Sequence, residues 1–487
     1  MSEEAEAGRH ERQPMRNTVR YTLRFLWMAM IGFAMGPSKA QAGQSPAVPS
    51  MLPDADVRQI LVDRIDRDHR SVGIVVGVVD HTGRRVIGYG ALDKGETRSL
   101  NGDTIFEIGS VTKVFTSLLL ADMAAHNEVA LSDPISKYLP SDVKAPERNG
   151  QSITLKDLAM HTSGLPRLPT NFMPKDSTNP YADFSVAQLY QFLSTYTLPR
   201  DIGSQYEYSN LGGGLLGHLL ARRAGMTYDA LVRERVTVPL GMTSTTVLLS
   251  PDQRARLAVG HNAQLAAVPN WDLPTLAGAG ALRSTANDML TFVEANLGVR
   301  KSPLAPAMEA MLTVRRPTGI SGLDIALGWH IFTKNSRELV WHNGGTGGYR
   351  SFIGFDAAAG TGVVVLSNTS TAAGVDDIGL HLLDPRNPLI QPAKTHTEVT
   401  ANAKLFDGYV GRYQLAPNVV LTISRDGDRL FVQATNQPRF ELFAEGEKDY
   451  FLKAVDAGLT FVTEGDGRAT AVVLHQNGAN VEGKRIE

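Results

Sequence analysis

The sequence predicts an α/β chain of the α+β kind, with a small antiparallel β-barrel at the C-terminus. Three observations predict it: β-rich runs occur at both ends of a large first region, helical patterns fill its middle, and only strand patterns follow. One antiparallel sheet flanked by helices, built from both ends of the first region, accounts for this order. The helical middle is then a subdomain inserted into the sheet domain.

Length and composition exclude several classes of protein. The 487 residues exceed the usual domain size of about 100 to 200 residues, so a large domain with an appendage is expected. Hydrophobic residues make up 43% and charged residues 20%, which is typical of globular proteins. The net charge of −2, without a basic stripe, argues against nucleic acid as a partner. The absence of cysteine excludes disulfides and a thiol nucleophile.

The first 42 residues have the pattern of a secretory signal peptide. Arginines precede an apolar run over residues 25–36, and residues 40–42 (Ala-Gln-Ala) supply a small-x-small cleavage site. The apolar run is too short to favour a spanning helix of about 20 residues. We therefore expect cleavage before Gly43, secretion to a bacterial periplasm, and no stable membrane span afterwards. An uncleaved N-terminal anchor is the alternative.

The elements of the first large region, residues 43–385, are predicted in chain order. They are an amphipathic helix over 54–66, strands over 73–79 and 85–90, a helical insertion of about 115–295 with a loop at 166–180, strands over 338–341, 350–355 and 362–366, and a closing helix over 373–383. The polar, proline-containing residues 386–402 predict a linker. Alternating residues and Asp-Gly turns predict a β domain over residues 403–487.

A serine and a lysine one helical turn apart are the first candidates for chemistry. Ser110 opens a strongly helical run, and Lys113 follows three residues later on the same helix face. The N-terminal dipole favours a nucleophile there, and a lysine whose pKa is lowered by burial can take the hydroxyl proton. The spacing alone is a weak signal, because Ser141 and Lys144 share it. That second pair lies between prolines, so we predict a surface loop.

The chain has a single Tyr-x-Asn, at residues 208–210, between a polar loop and a glycine-rich helix start. A cationic lysine nearby would lower the phenol pKa of Tyr208 below about 10, which would suit a general base. Asn210 is a candidate to hold the lysine or a substrate amide. A packed tyrosine with Asn210 as a helix cap is the alternative.

The segment His342, Asn343, Gly344 and Gly345 ends a predicted strand. Glycines there allow a ligand to approach the backbone. The peptide N–H of Gly345, together with that of Ser110, would form an oxyanion hole for an acyl-transfer reaction.

Taken in order, Ser-x-x-Lys, Tyr-x-Asn and a Lys/His-x-Gly strand resemble the class C β-lactamase and penicillin-binding protein superfamily, which also includes family VIII carboxylesterases. Residues 161–166, 277–284 and 327–329 look like further segments of that family. The resemblance covers about residues 55–385 and implies a β-lactamase/transpeptidase-like fold. The C-terminal region resembles the small lipocalin-like module found behind some D-aminopeptidases.

The resemblance implies an acyl-enzyme on Ser110, with Lys113 and Tyr208 sharing proton transfer, and leaves open which of the two is the base. His342 takes the place of the family's frequent lysine. A histidine carries less positive charge at neutral pH, so it would hold a substrate carboxylate less firmly. Arg350 is a possible substitute cation, but we favour a solvated strand end for it.

These features support a serine hydrolase acting on β-lactams or on D-alanyl peptide amides. A carboxylesterase using the same residues is the close alternative, and a non-catalytic cell-wall sensor is a remote one. No cofactor is implied, and the 12 histidines lack paired metal-ligand spacing, so no metal is expected. The expected partner is a small β-lactam, peptidoglycan-like peptide or ester substrate, and the oligomeric state stays open.

Overall fold

The computed structural model describes residues 51–334, 337–391, 396–416, 419–435, 437–453, 457–465, 467–476 and 479–487. The predicted signal peptide, residues 1–42, lies outside these ranges. None of the helices within them combines the length and apolar character that crossing a bilayer requires.

Short and long strands alternate with helices in the first region. The strands are β1 (Gly73–Asp80), β2 (Gly83–Gly90), β3 (Ile105–Glu107), β4 (Glu147–Arg148), β5 (Gln151–Ser152), β6 (Arg283–Thr285), β7 (Arg316–Pro317), β8 (Leu323–Ile325), β9 (His330–Lys334), β10 (Arg337–Gly345), β11 (Arg350–Asp356) and β12 (Thr361–Ser367). The helices are α1 (Asp54–Val62), α2 (Thr112–Ala125), α3 (Leu155–Ala159), α4 (Val186–Thr195), α5 (Asn210–Ala224), α6 (Tyr228–Val232), α7 (Val238–Leu240), α8 (Pro251–Ala255), α9 (Ala286–Asn296), α10 (Ala305–Thr313) and α11 (Asp376–Leu383).

Eight strands form one antiparallel sheet in the order β2-β1-β12-β11-β10-β9-β8-β7. Because β1 pairs with both β2 and β12, the sheet is built from both ends of the region, which confirms the prediction. Strand β9 was not predicted, because buried and exposed residues do not alternate along it. Strands β7 and β8 were not predicted either, because segments of two and three residues are too short to show a period of two. They extend the sheet beyond β9 at one edge.

The two faces of the sheet bury separate apolar clusters. Ile74, Val76 and Val78 of β1 belong to one cluster with buried residues of α1 and α11, whereas Val75 and Val79 belong to the larger cluster that includes α2 and α9. This alternation follows from the pleat of a strand. Helix α9 lies within the predicted helical insertion, yet it packs directly on the sheet. A Cβ on Gly77 of β1, for instance, would lie 2.9 Å from Leu290.

The C-terminal part is a closed antiparallel barrel, as predicted. It contains a short helix α12 (Phe406–Tyr409) and the strands β13 (Gly411–Ala416), β14 (Val419–Asp426), β15 (Arg429–Ala434), β16 (Arg439–Ala444), β17 (Asp449–Phe451), β18 (Ala457–Glu464), β19 (Arg468–Gln476) and β20 (Ala479–Arg485). Residues of the predicted linker form hydrogen bonds with the first region at one end and with the barrel at the other. The N–H of Ile390 donates to Asp377 of α11 at 2.8 Å, and the N–H of Val399 donates to the carbonyl of Ala444 in β16 at 2.9 Å.

Candidate active site

Ser110 lies in a 3₁₀ turn, Gly109–Val111, that leads directly into α2. Gly109 adopts a positive φ of 50°, and a Cβ there would lie 2.6 Å from the backbone nitrogen of Gly345. The turn is therefore in backbone contact with the end of β10, and only glycine allows this approach. Ser110 itself is half-buried, so its hydroxyl lies at the surface of the site.

Lys113 is almost completely buried, with 2% of its surface exposed. Its Nζ lies 3.0 Å from Ser110 Oγ, 3.0 Å from Asn210 Oδ1 and 2.7 Å from the carbonyl oxygen of Ala279. Burial, with a smaller contribution from the charge of Arg167, lowers the pKa of Lys113 well below its ordinary value.

A neutral amine has two N–H donors and one lone pair. The carbonyl of Ala279 and the amide oxygen of Asn210 can accept the two donors, because neither oxygen has a proton to give. The lone pair is then directed to the remaining neighbour, the hydroxyl of Ser110. The geometry therefore matches a lysine that accepts the serine proton.

The glycine-rich start of α5 makes room for this lysine. A Cβ on Gly213 would lie 2.9 Å from Lys113 Cε, which is closer than side chains tolerate. Ser209 is the N-cap of the helix and accepts a hydrogen bond from the N–H of Gly212 at 2.8 Å. The alternative role of Asn210 as the cap is therefore wrong. Its side-chain amide instead donates to the hydroxyl of Tyr181 at 3.0 Å.

The pKa of the Tyr208 phenol is raised, whereas the sequence predicted that it would be lowered. Burial raises its pKa to about 12, and a hydrogen bond with Ser110 and the charge of Arg167 offset this only in part. The predicted lowering is wrong because the removal of water from the buried phenol outweighs the effect of the neighbouring charge and hydrogen bond. Tyr208 therefore carries its proton near neutral pH and is a hydrogen-bond donor in the free protein.

His161 and His342 are both buried beside this group. The ring of His161 packs against Tyr208, 4.4 Å between centroids, and its Nδ1 accepts the N–H of Ser209 at 3.1 Å. The ring of His342 lies 6.3 Å from that of Tyr208. Burial lowers the pKa of both histidines well below its ordinary value. Both imidazoles are therefore neutral, and His342 supplies no positive charge at the site.

Sequence reasoning missed His330, on β9 beside His342. The two rings lie 5.2 Å apart, and His330 Nε2 forms a hydrogen bond with the hydroxyl of Tyr206 at 3.0 Å. Burial lowers the pKa of His330 to about 4. His342 Nδ1 lies 2.6 Å from the carbonyl oxygen of Asn343, and its Nε2 is buried without a partner among the described residues.

The side chains of Asn343, on β10, and Arg350, at the start of β11, form hydrogen bonds with neighbouring segments. The side-chain amide of Asn343 donates to Asp376, whose pKa burial raises to about 7. The prediction of a solvated strand end for Arg350 is wrong, because the side chain is half-buried and its Nε donates to the carbonyl of Thr371 at 2.9 Å. Gly344 and Gly345 lie on β10 next to the serine turn.

The structure thus brings Ser110, Lys113, Tyr208, Asn210 and His342 together, while the second Ser-x-x-Lys pair lies in an exposed turn elsewhere. Within the ranges that the structure describes, no group of three His, Asp or Glu side chains could hold a metal ion.

Comparison with known proteins gives the family. The family model described as Beta-lactamase matches residues 57–384, and that described as Domain of unknown function (DUF3471) matches residues 395–485. The chain belongs to the β-lactamase family. It is therefore a serine hydrolase by descent, as the resemblance implied.

Relatives of this β-lactamase-family chain include both peptidases and lactamases. It is 31% identical to the D-alanyl-D-alanine-carboxypeptidase/endopeptidase AmpH of Escherichia coli (strain K12), over 70% of this chain and 92% of that protein. It is 28% identical to a β-lactamase of Pseudomonas fluorescens, over 64% and 94%. The β-lactamase/D-alanine carboxypeptidase structure from Yersinia pestis, complexed with citrate, has a TM-score of 0.59 at 25% identity and covers 69% and 97%.

Proposed function

We propose that this hydrolase forms an acyl-enzyme on Ser110 and cleaves D-alanyl peptide amides, and that β-lactams acylate the same serine. The observation that carries the proposal is the buried amine of Lys113, 3.0 Å from the half-buried hydroxyl of Ser110. The similarity to a D-alanyl-D-alanine carboxypeptidase over 92% of its length supports the substrate class.

In the acylation step, the neutral Lys113 amine takes the proton of Ser110 as Oγ attacks the substrate carbonyl carbon. The negative charge that develops on the carbonyl oxygen is stabilised by the N–H groups of Ser110 and Gly345, and Gly345 lies against Gly109, the residue before Ser110. The C–N bond then breaks, and the leaving nitrogen takes a proton from Tyr208, which is protonated near neutral pH. Proton transfer from Lys113 to Tyr208 restores the phenol.

Hydrolysis of the ester repeats these transfers with water as the nucleophile. Lys113 takes a proton from the water, the water oxygen bonds to the acyl carbon, and the ester bond breaks. The proton returns to Ser110 Oγ, and the acid product leaves. The rate of this second step separates a β-lactamase from a penicillin-inhibited peptidase, because both share the first step.

The test is the intact mass of purified protein after brief exposure to a penicillin, while ring opening is followed by absorbance. The Ser110→Ala variant is the control for acylation, and Ser141→Ala is the control for substitution of a serine with the same spacing. A lasting adduct on wild type and Ser141→Ala, absent from Ser110→Ala, indicates a penicillin-binding peptidase. Ring opening without a lasting adduct indicates a β-lactamase.

If wild type neither forms an adduct nor opens the ring but still hydrolyses a short aryl ester, the peptidase and lactamase proposal is overturned in favour of a carboxylesterase. Wild type that is inert with all three substrates would leave only a non-catalytic role.

We also propose that residues 1–42 are removed on export to a periplasm, leaving the hydrolase part (43–385), a linker (386–402) and a barrel domain (403–487). The arginines and apolar run near the N-terminus support this. The mass of the protein recovered from its native compartment tests it, with a mature N-terminus at Gly43 as the expected result.

A further inference from the structure

Arg167 lies beside the active site in a position that the chain holds firmly. Its carbonyl oxygen accepts the N–H of Leu211 at 3.1 Å. The carbonyl of the preceding Pro166 accepts the hydroxyl of Ser209 at 2.7 Å. Both contacts join this loop to the first turn of α5, next to Tyr208. The backbone of Arg167 is therefore fixed relative to the site although its side chain is exposed.

The guanidinium of Arg167 reaches over the phenol. Its Cζ lies 5.2 Å from the ring centroid of Tyr208, and Lys113 Nζ lies 4.9 Å from the same centroid. No ion pair within the described ranges joins Arg167 to a carboxylate. A guanidinium group carries a positive charge and five N–H donors.

The groups around Arg167 do not balance this charge. Burial lowers the pKa of His161, His342 and Lys113 well below the ordinary value of each, and none of the three is an anion. The other nearby cation, Arg350, is half-buried and shares its surroundings with the Asp376 carboxyl group. Arg167 is thus an exposed, unbalanced positive charge at the site.

We propose that Arg167 recognises a carboxylate of the substrate and selects anionic over neutral substrates. This inference rests on the proposed acyl-enzyme function and adds a specificity-determining residue to it. A guanidinium presents a planar fork of donors that matches a carboxylate, so the pairing is directional as well as electrostatic. The exposure of the side chain lets a substrate reach it without moving the protein.

The experiment compares three aryl esters that differ in one charge: a neutral 4-nitrophenyl butyrate, the 4-nitrophenyl monoester of glutaric acid, with a carboxylate on the acyl side, and a 3-carboxyphenyl butyrate, with a carboxylate on the leaving group. The variants are Arg167→Gln, Arg167→Lys and Arg223→Gln. Arg223 is an exposed arginine at the other end of α5, so Arg223→Gln makes the same change in net charge away from the site.

We expect Arg167→Gln to raise KM by about tenfold for at least one carboxylate-bearing ester, as the loss of a charged hydrogen bond predicts. KM for the neutral ester stays the same, Arg167→Lys restores part of the loss, and Arg223→Gln has no effect. In wild type, KM for the anionic ester rises with salt, because an exposed charge is screened. Kinetics are compared at the alkaline plateau, where Lys113 is neutral in every variant.

Equal effects of Arg167→Gln on all three esters, or no effect on any, would overturn the proposal. Failure of the underlying function gives a different result: wild type then fails to hydrolyse even the neutral ester, or Ser110→Ala hydrolyses it as fast as wild type.

Discussion

Two segments of the chain place a lysine three residues after a serine, and the lysine is buried in one segment and exposed in the other. Lys113 is 2% exposed and contacts Ser110, Asn210 and Ala279 through its amine. Ser141 and Lys144 are both exposed in a turn. The Ser-x-x-Lys spacing alone therefore does not make a lysine a base for the serine. Burial and the hydrogen-bond partners of the amine are also required.

The physical reason lies in hydration. Water stabilises an ammonium ion, so a lysine becomes a base near neutral pH only where the fold removes that water. The first turn of α2 does so by packing Lys113 against the glycine-rich start of α5 and the segment around Ala279. Nothing comparable encloses Lys144.

The largest expected effect is the loss of the nucleophile. Ser110→Ala should reduce kcat/KM for an aryl ester by about 10⁴-fold or more, because it removes the hydroxyl that we propose forms the acyl-enzyme. The identical change at Ser141 should leave kcat/KM as in wild type. Steady-state kinetics of both variants check this, and comparable losses in the two would erase the contrast between the segments.

Replacement of Lys113 should have the second largest effect, and Lys144 provides the matched control. Lys113→Met should slow acylation by about 10²- to 10⁴-fold, since it removes the proposed general base. Lys113→Arg should be no better, because a guanidinium does not give up its proton. Lys144→Met should acylate at the wild-type rate. Stopped-flow measurement of acylation distinguishes these cases, and an active Lys113→Arg would show that charge rather than basicity is required.

The pH profile tests which group is the base. Because the Lys113 amine must be unprotonated, and burial lowers its pKa, the acid limb of kcat/KM should lie well below the ordinary lysine value of about 10.4. Activity should fall about tenfold for each pH unit below that limb. Tyr208→Phe should lower the rate without moving the limb. A limb that disappears in Tyr208→Phe would assign the base to the phenol instead.

The space for the lysine can be closed with one methyl group. Gly213→Ala would place a Cβ 2.9 Å from Lys113 Cε, and we expect about tenfold lower kcat with a shifted acid limb, together with a loss of about 1 to 3 kcal/mol in the free energy of unfolding. Gly214→Ala is the matched control on the same helix. Its Cβ would meet Leu276 at 2.6 Å, so it should destabilise the fold without shifting the limb.

The smallest expected effect concerns stability. Burial raises the pKa of Asp376 from 3.8 to about 7, so the folded state holds a proton that the unfolded state releases earlier. The free energy of unfolding should therefore fall as pH rises from about 4 to about 7, by less than the roughly 4 kcal/mol that this difference in pKa corresponds to, because Asp376 is only half-buried. Asp376→Asn should flatten this slope in urea titrations, whereas Asp407→Asn, at an exposed carboxyl, should retain it.

Much of the fold was predictable because its signals are local. The hairpin of β1 and β2, the three long strands β10 to β12 and the closed barrel all follow from alternation and turn residues. Strands β7 and β8 were missed because a period of two cannot be recognised in two or three residues. The candidate site was predictable to the extent that its motifs are short and contiguous.

The partners of those motifs lie far away in sequence and have no signature of their own. Tyr181, His330 and Arg167 each meet a motif residue only through the fold. Residues 161–166 and 277–284 have family-like sequences, but the sequence does not show that the carbonyl of Ala279 accepts a hydrogen bond from Lys113 or that His161 accepts one from Ser209.

The sequence by itself determined the family, the order of the elements and the candidates for the nucleophile and its base, because each depends on residue types at fixed spacing. Only the tertiary structure decided which groups carry protons and charge. A pKa depends on the water that packing removes and on charges from distant segments, so the lowered pKa of Lys113, the protonated Tyr208 and the unbalanced Arg167 appear only when those segments meet.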